Sequence, residues 1–243
     1  MWPRLFPASD YDQTAVGGLK LFQPRKGFRI SQDALLLYLS LPRCCSPVLD
    51  IGSGSGILSL LYAKDNPSSC VTGIDIVKKN SDLAICNAKR NGLSGIRFLE
   101  GDIKEYADKD PYALIFSNPP YRKAGSGRLS PFPEKNIALY DTHLDFYTLF
   151  SAVKRLLSPQ GLFFMIIWEG RRDEMLERAA GFSLFPFREI IYRGVGKNHH
   201  SFVVSGFSPE KKAFQRDVIE HKEWSEAVRA LIQAEVVMKG DNL

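Results

Sequence analysis

From Val48 to Phe207 short apolar runs alternate with stretches of helical spacing, and that alternation constrains the fold more than any other feature. Val48–Ile51, Cys70–Ile76, Ile96–Leu99, Tyr112–Ser117 and Leu162–Trp168 read as strands. Ile57–Lys64, Lys78–Arg90, His143–Leu157 and Arg171–Ala180 read as helices. They are stopped in turn by Asn66-Pro67, Asn91-Gly92, Ser158-Pro159 and Gly181. Strands joined through helices return by right-handed crossovers, so they lie parallel and carry helices on both faces. The last two runs, Phe187–Tyr192 and Ser201–Phe207, have no helix between them and pair antiparallel at the sheet edge. The expectation is an α/β fold: a seven-stranded, mostly parallel sheet with one antiparallel strand.

Residues 48–207 form the core in this reading. Residues 1–47 are an N-terminal extension with an apolar helix over Ala34–Leu41. Residues 208–243 are a charged C-terminal extension of the same domain, with one amphipathic helix near Trp224–Ile232. No internal repeat and no low-complexity segment interrupts the chain. No apolar run approaches the roughly 20 residues that a membrane-spanning helix needs. Met1-Trp2-Pro3-Arg4 leads into no signal-like apolar stretch, so the expected location is the cytoplasm, away from membranes. Cys44, Cys45, Cys70 and Cys86 match no zinc spacing; neither a metal nor a disulfide is expected, and Cys70, placed in a strand, is expected to be buried. Lys and Arg number 32 against 27 Asp and Glu, a balance of +5 that permits an anionic partner without requiring one.

The turn Asp50-Ile51-Gly52-Ser53-Gly54-Ser55-Gly56 follows the first strand and precedes a helix. Its glycines let a ligand approach the backbone, and the helix offers unpaired N–H groups. The G-x-G-x-G spacing differs from that of dinucleotide folds, and Asp50 at the strand end would repel a phosphate. A ligand with a cationic tail fits better. Asp75 ends the second strand, where a carboxylate can accept from ribose hydroxyls, and Asp102 follows the third, where it can accept from an exocyclic amine of adenine. Each acid also suits a helix N-cap. Their joint placement at the carboxyl ends of successive strands is where open α/β sheets bind ligands. S-Adenosylmethionine has the required nucleoside, amine and sulfonium.

The fourth strand runs into Asn118-Pro119-Pro120-Tyr121. The Asn118 side chain and the Pro119 carbonyl offer two acceptors for the two N–H bonds of one –NH₂ group, and Tyr121 offers a ring for stacking. A planar amine is a weak nucleophile because its lone pair is delocalised. Holding both N–H bonds out of plane favours a tetrahedral nitrogen whose lone pair faces a sulfonium methyl. Positioning of this kind can contribute about 7–11 kcal/mol.

Residues 48–121 thus resemble a Rossmann-like class I methyltransferase with the N-P-P-Y signature of amino-methyltransferases. The segment Gly27-Phe28-Arg29-Ile30-Ser31-Gln32-Asp33-Ala34-Leu35-Leu36-Leu37 resembles the stretch before the first strand in the tRNA1(Val) adenine-37 N6-methyltransferase family. The resemblance implies that Gly52, Gly54 and Gly56 line S-adenosylmethionine, with Asp50 nearby, Asp75 at its ribose and Asp102 at its adenine. It implies that Asn118, Pro119 and Tyr121 hold the target base, with Asn118 also facing the cofactor. Asp33, with Arg29 and Ser31, would close over the cofactor, making the N-terminal extension a lid. The product would be S-adenosylhomocysteine. Tyr140-Asp141 departs from the basic–acidic pair often found after the acceptor loop.

Residues 122–142 read as a long loop beside the acceptor motif, with Arg122, Lys123 and Arg128 placed to grip an RNA backbone; Lys20, Arg25, Lys26 and Arg29 offer a second basic rim. The expected partner is RNA, specifically a tRNA. Three other readings stay open on the motif alone. They are transfer to a protein glutamine, disfavoured because only a short segment precedes Val48; transfer to guanine N2; and an RNA-binding module that holds the cofactor without turnover.

Overall fold

A computed structural model of the chain describes residues 9–26, 29–43, 45–123, 125, 130–195 and 200–233. Strands β1 (Tyr11–Val16) and β2 (Leu19–Pro24) form a hairpin, followed by helix α1 (Gln32–Ser40). The core then runs β3 (Val48–Ile51), α2 (Ile57–Asp65), β4 (Val71–Asp75), α3 (Lys78–Arg90), β5 (Ile96–Glu100), β6 (Tyr112–Ser117), α4 (Pro133–Leu139), α5 (Phe146–Leu156) and β7 (Leu157–Trp168). A short 3-10 turn and α6 (Arg172–Gly181) lead to β8 (Phe185–Tyr192), β9 (Phe202–Ser208), β10 (Gln215–Ile219) and α7 (His221–Gln233).

The main sheet has the order β10-β8-β9-β7-β6-β3-β4-β5, with β9 antiparallel to both of its neighbours and every other pairing parallel. The expected α/β architecture is therefore present, with eight strands rather than seven. The added strand, β10, lies in the segment expected to be a charged tail. Its sequence Gln215-Arg216-Asp217-Val218-Ile219 shows little apolar alternation because it is an exposed edge. Ion pairs fasten it: Arg216 reaches the fully buried Glu189 at 2.8 Å, and Arg188 pairs with Asp217.

Two apolar clusters sandwich the sheet. One packs α1, α2 and parts of α3 and α7 on one face, with Leu36, Leu37, Leu60 and Phe116 fully buried. The other packs α5 and α6 on the opposite face, with Leu149, Phe150, Phe163 and Met165 fully buried. Burying such a side chain contributes about 1.5–3 kcal/mol, and packing on both faces fixes the strands whose carboxyl ends carry the loops.

The β1–β2 hairpin adds two strands to the N-terminal extension, and its turn carries a local sequence signal. Gly17 and Gly18 both take positive φ, 56° and 76°, as a two-residue hairpin turn demands. The hairpin docks on α3 through Asn87, whose Oδ1 accepts from Phe22 N at 2.8 Å and whose Nδ2 donates to Phe22 O at 3.1 Å. The same Nδ2 donates to Ser55 O in the glycine turn at 3.0 Å, so the N-terminal segment braces that turn. At the other end, α7 packs on α1 and β1, with Gly17 N donating to Leu231 O at 2.7 Å.

Cys70 is exposed, contrary to expectation, because β4 begins one residue later at Val71. Cys45, Cys70 and Cys86 are free thiols, and Cys44 lies outside the described residues. Among the described residues no helix is long and apolar enough to cross a membrane, and no group of His, Cys, Asp and Glu is placed to hold a metal.

Candidate active site

The chain leaves β3 toward β4 and β5, then returns to β6 on the other side of β3. This reversal opens a crevice at the carboxyl ends of β3 and β6, the position where open α/β sheets bind ligands. The register pairs Ile51 with Ser117, so Gly52 and Asn118 emerge side by side. Ser117 Oγ donates to Ile51 O at 2.8 Å and locks the two strand ends together. Ile51 also pairs with Ile74, which brings Asp75 beside the glycine turn.

The resulting pocket has an empty volume of about 780 Å³, part of it open to solvent. Gly52, Gly54, Asp75, Asp102, Asn118 and Pro120 all line it. Gly54 has φ +55°, and a Cβ there would meet nothing within 4 Å, so its backbone faces open space. Asp75 is nearly buried and accepts from Gly54 N at 2.8 Å, Val77 N at 2.8 Å and Asn80 Nδ2 at 3.1 Å. Burial raises its carboxyl pKa. Two carboxylate oxygens have about four acceptor positions, so capacity for a ligand hydroxyl remains. Asp102 accepts from Lys104 N at 2.9 Å and begins the turn after β5.

Three residues expected at the cofactor stand elsewhere. Gly56 does not line the pocket: it caps α2 with φ +87°, and a Cβ would come within 2.9 Å of Ala84 and Phe98, so packing explains the glycine. Asp50 is fully buried behind the turn, where its Oδ2 accepts from Ser59 Oγ at 2.7 Å and its Oδ1 has no partner. Burial pushes its carboxyl up to about 7, and the nearby Asp75 adds to the rise against the Ser59 hydrogen bonds. Asp33, in the first turn of α1, reaches the acceptor motif instead. Its Oδ2 accepts from Asn118 Nδ2 at 3.3 Å and from the Tyr121 hydroxyl at 3.1 Å.

Asp33 decides which way Asn118 points. A carboxylate only accepts, so the amide must turn its –NH₂ toward Asp33 and its oxygen away. Asn118 Oδ1 is left buried with no hydrogen-bond partner, a costly state for a carbonyl unless a ligand donates to it. Pro119 is buried beside it. The Tyr121 phenol is held well above its ordinary pKa, first by burial and then by the Asp33 carboxylate, so it remains a donor to Asp33.

Arg171 was not singled out from sequence, yet it anchors the far side of the motif. It is nearly buried, donates to Tyr121 O at 3.2 Å and to Asp141 Oδ2 at 2.9 Å, and lies 4.3 Å over the Phe146 ring. Tyr140 stands where the family pair has its basic residue, and Asp141 at the acidic position finds its cation in Arg171, just ahead of α6. Lys123 pairs with Glu174 at 3.0 Å, and the Arg122 guanidinium lies 5.7 Å over Trp168. Arg128 lies outside the described residues, as do 27 and 28 of the N-terminal segment. On the second basic rim, Arg25 and Arg29 both pair with Asp12, at 3.2 and 2.7 Å. Ser31 precedes α1 with its Oγ buried and unpartnered.

The segment 122–142 is not simply a loop. Helix α4 forms within it, with Pro133 in its first turn, where a missing N–H costs nothing. Ile137 and Ala138 of α4, with His143 and Leu144 beyond it, cover one wall of the pocket.

A crevice at the sheet's reversal point, lined by a glycine turn and strand-end carboxylates, is the arrangement of a class I methyltransferase. Residues 46–178 match the methyltransferase domain family, more than half the chain, and the protein belongs to it. Within that class the chain belongs to the tRNA1(Val) (adenine(37)-N6)-methyltransferase family. The Aeromonas salmonicida enzyme of that name is 33% identical over 166 residues, covering 66% of this chain and 68% of the relative. A release factor glutamine methyltransferase from Fusobacterium nucleatum is 49% identical over only 75 residues, 30% of this chain and 21% of that enzyme. Among solved structures, the ribosomal protein L11 methylase of Lactobacillus delbrueckii subsp. bulgaricus superposes with a TM-score of 0.56 at 18% identity, covering 78% of this chain and 84% of that one; this likeness bears on the fold alone.

The protein is an S-adenosylmethionine-dependent N-methyltransferase. The residues present fit that cofactor: an open glycine turn, two pocket carboxylates for a nucleoside, and an orphaned carbonyl oxygen beside them.

Proposed function

We propose that the protein methylates the exocyclic N6 of an adenine in tRNA. The observation that carries this reading is the buried, unpartnered Oδ1 of Asn118, a residue that lines the pocket at the sheet's reversal point and whose –NH₂ is engaged by Asp33. When bound, S-adenosylmethionine supplies a methyl group on an electrophilic sulfonium. Asn118 Oδ1 and the Pro119 carbonyl accept the two N–H bonds of the base, and Tyr121 stacks on its ring. Held this way, the nitrogen lone pair would face the methyl carbon that the bound cofactor would supply, with the thioether as leaving group. The proton becomes acidic only as the new bond forms, so it passes to water without a strong base. On the cofactor side Gly52 and Gly54 give backbone approach, while Asp75 and Asp102 accept from the ribose and the cofactor adenine. Arg122 and Lys123, which follow the motif directly, would meet the RNA backbone. The tRNA-modifying relatives match across two thirds of the chain, whereas the glutamine-modifying enzyme matches across less than a third.

Purified protein and labelled cofactor, offered total RNA and total protein from cells lacking the enzyme, test the acceptor class. Label in tRNA supports the reading; label confined to protein contradicts it.

Asp50 lies behind the glycine turn and outside the pocket lining, yet its charge is close enough to the turn to give cofactor binding a pH signature. Its carboxyl titrates at about 7 without ligand, and a cationic ligand stabilises the ionised form. Cofactor affinity is therefore expected to climb as pH rises toward about 7 and to level off above it. Calorimetry in buffers of different ionisation enthalpy should detect a released proton below that pH. Asp50→Asn is expected to flatten the profile; a flat profile in the unmodified enzyme would contradict the assignment.

A further inference from the structure

The ring of Tyr121 does not stand alone. The Trp168 ring lies 4.9 Å from it, centroid to centroid, and His200 stacks on Trp168 at 4.3 Å and 29°. Phe202, the register partner of Trp168 across β7 and β9, meets Tyr121 edge-on at 6.3 Å. The Arg122 guanidinium sits over Trp168. Trp168 is half-buried, His200 is exposed, and Trp168 joins none of the apolar clusters formed by the described residues. Trp168 is packed against Tyr121 and His200 with Arg122 over it, so the ladder ends in the exposed His200 ring, a surface for another flat group.

We propose that Trp168 and His200 form a stacking subsite for the nucleobase adjacent to the methylated one in a single-stranded segment of RNA. This deepens the tRNA reading and rests on it. A target base seated on Tyr121 leaves its neighbour in the strand without its stacking partner, since the target has been drawn out of the stack. The aromatic ladder replaces that partner. Every base has a π-face, so the subsite accepts any neighbour and adds affinity without reading sequence. Arg122, whose guanidinium lies 5.7 Å from the Trp168 centroid, puts a charge beside the ladder for the phosphate joining the two nucleotides.

The test uses tRNA1(Val), the RNA named for the relatives, with the nucleotide on either side of adenine 37 made abasic in turn. For the unmodified enzyme, one of the two abasic substrates should lose roughly tenfold in kcat/KM, the loss expected for one stacked base. With Trp168→Leu the intact tRNA should already show that loss, and the abasic site should add little. His200→Ala, at an exposed position, should show a smaller loss of the same kind. Cofactor binding by Trp168→Leu checks that the fold is intact, and His200→Ala replaces it in the comparison if it is not. Equal penalties for the abasic site in both enzymes, or no penalty in the unmodified enzyme, overturn the subsite while leaving RNA methylation standing. Failure to methylate the intact tRNA and total RNA overturns the tRNA reading and the subsite together.

Discussion

Asn118→Ala is expected to lower kcat by about 10²–10³-fold, the scale seen when one preorganised hydrogen-bonding group at a reacting centre is removed. The substitution deletes the buried Oδ1 that holds one N–H of the acceptor amine, and with it the out-of-plane pull on nitrogen. The pocket itself persists: Gly52, Gly54, Asp75 and Asp102 reach it from other strand ends. Cofactor affinity should therefore stay close to that of the unmodified enzyme. Single-turnover transfer measured beside calorimetric cofactor binding separates the two. A variant with normal turnover means the acceptor site is elsewhere; a variant that loses cofactor and turnover together means Asn118 works chiefly on the cofactor side.

The second large effect belongs to Asp33. Its carboxylate fixes both the amide of Asn118 and the hydroxyl of Tyr121. Without it, Asn118 loses the constraint that selects one of its two amide orientations. The wrong one aims an –NH₂ at an –NH₂. Asp33→Ala is expected to reduce kcat by about 10²-fold, as small misplacements of a catalytic group do. Asp33→Asn keeps an acceptor oxygen and should recover part of the loss. That ordering, with cofactor affinity unchanged throughout, distinguishes a positioning role from a role as a cofactor lid. The lid reading instead requires both variants to weaken cofactor binding.

The comparison between sequence and structure divides along one physical line. Features encoded locally were legible. The alternation of runs from Val48 onward gave the parallel sheet, and β3, β6 and α3 stand where their residues placed them. Motif order along the chain placed Gly52, Gly54, Asp75, Asp102 and Asn118 at neighbouring strand ends, and all five line one pocket. Features set by distant partners were not legible. Asp33 lies 85 residues from Asn118, and nothing in its own neighbourhood tells that its carboxylate crosses to the acceptor motif. Arg171 read as the start of a helix, while its charge is spent on Asp141, Glu174 and the Tyr121 carbonyl. The polar edge strand β10 and the short helix α4 fell below the threshold of periodicity because neither presents a wide apolar face. The β1–β2 hairpin is different: Gly17-Gly18 is a local two-residue turn signal, although the half-polar Tyr11–Val16 before it is a weak strand pattern.

The central claim concerns one atom, the nitrogen that Asn118 faces. The most direct measurement is mass-spectrometric analysis of nucleosides from tRNA of cells lacking the enzyme, after incubation with purified protein and S-adenosylmethionine. The account predicts N6-methyladenosine as the new nucleoside, absent when Asn118→Ala replaces the unmodified protein. Methylation at guanine N2, or methylation only of a glutamine in protein, would contradict it.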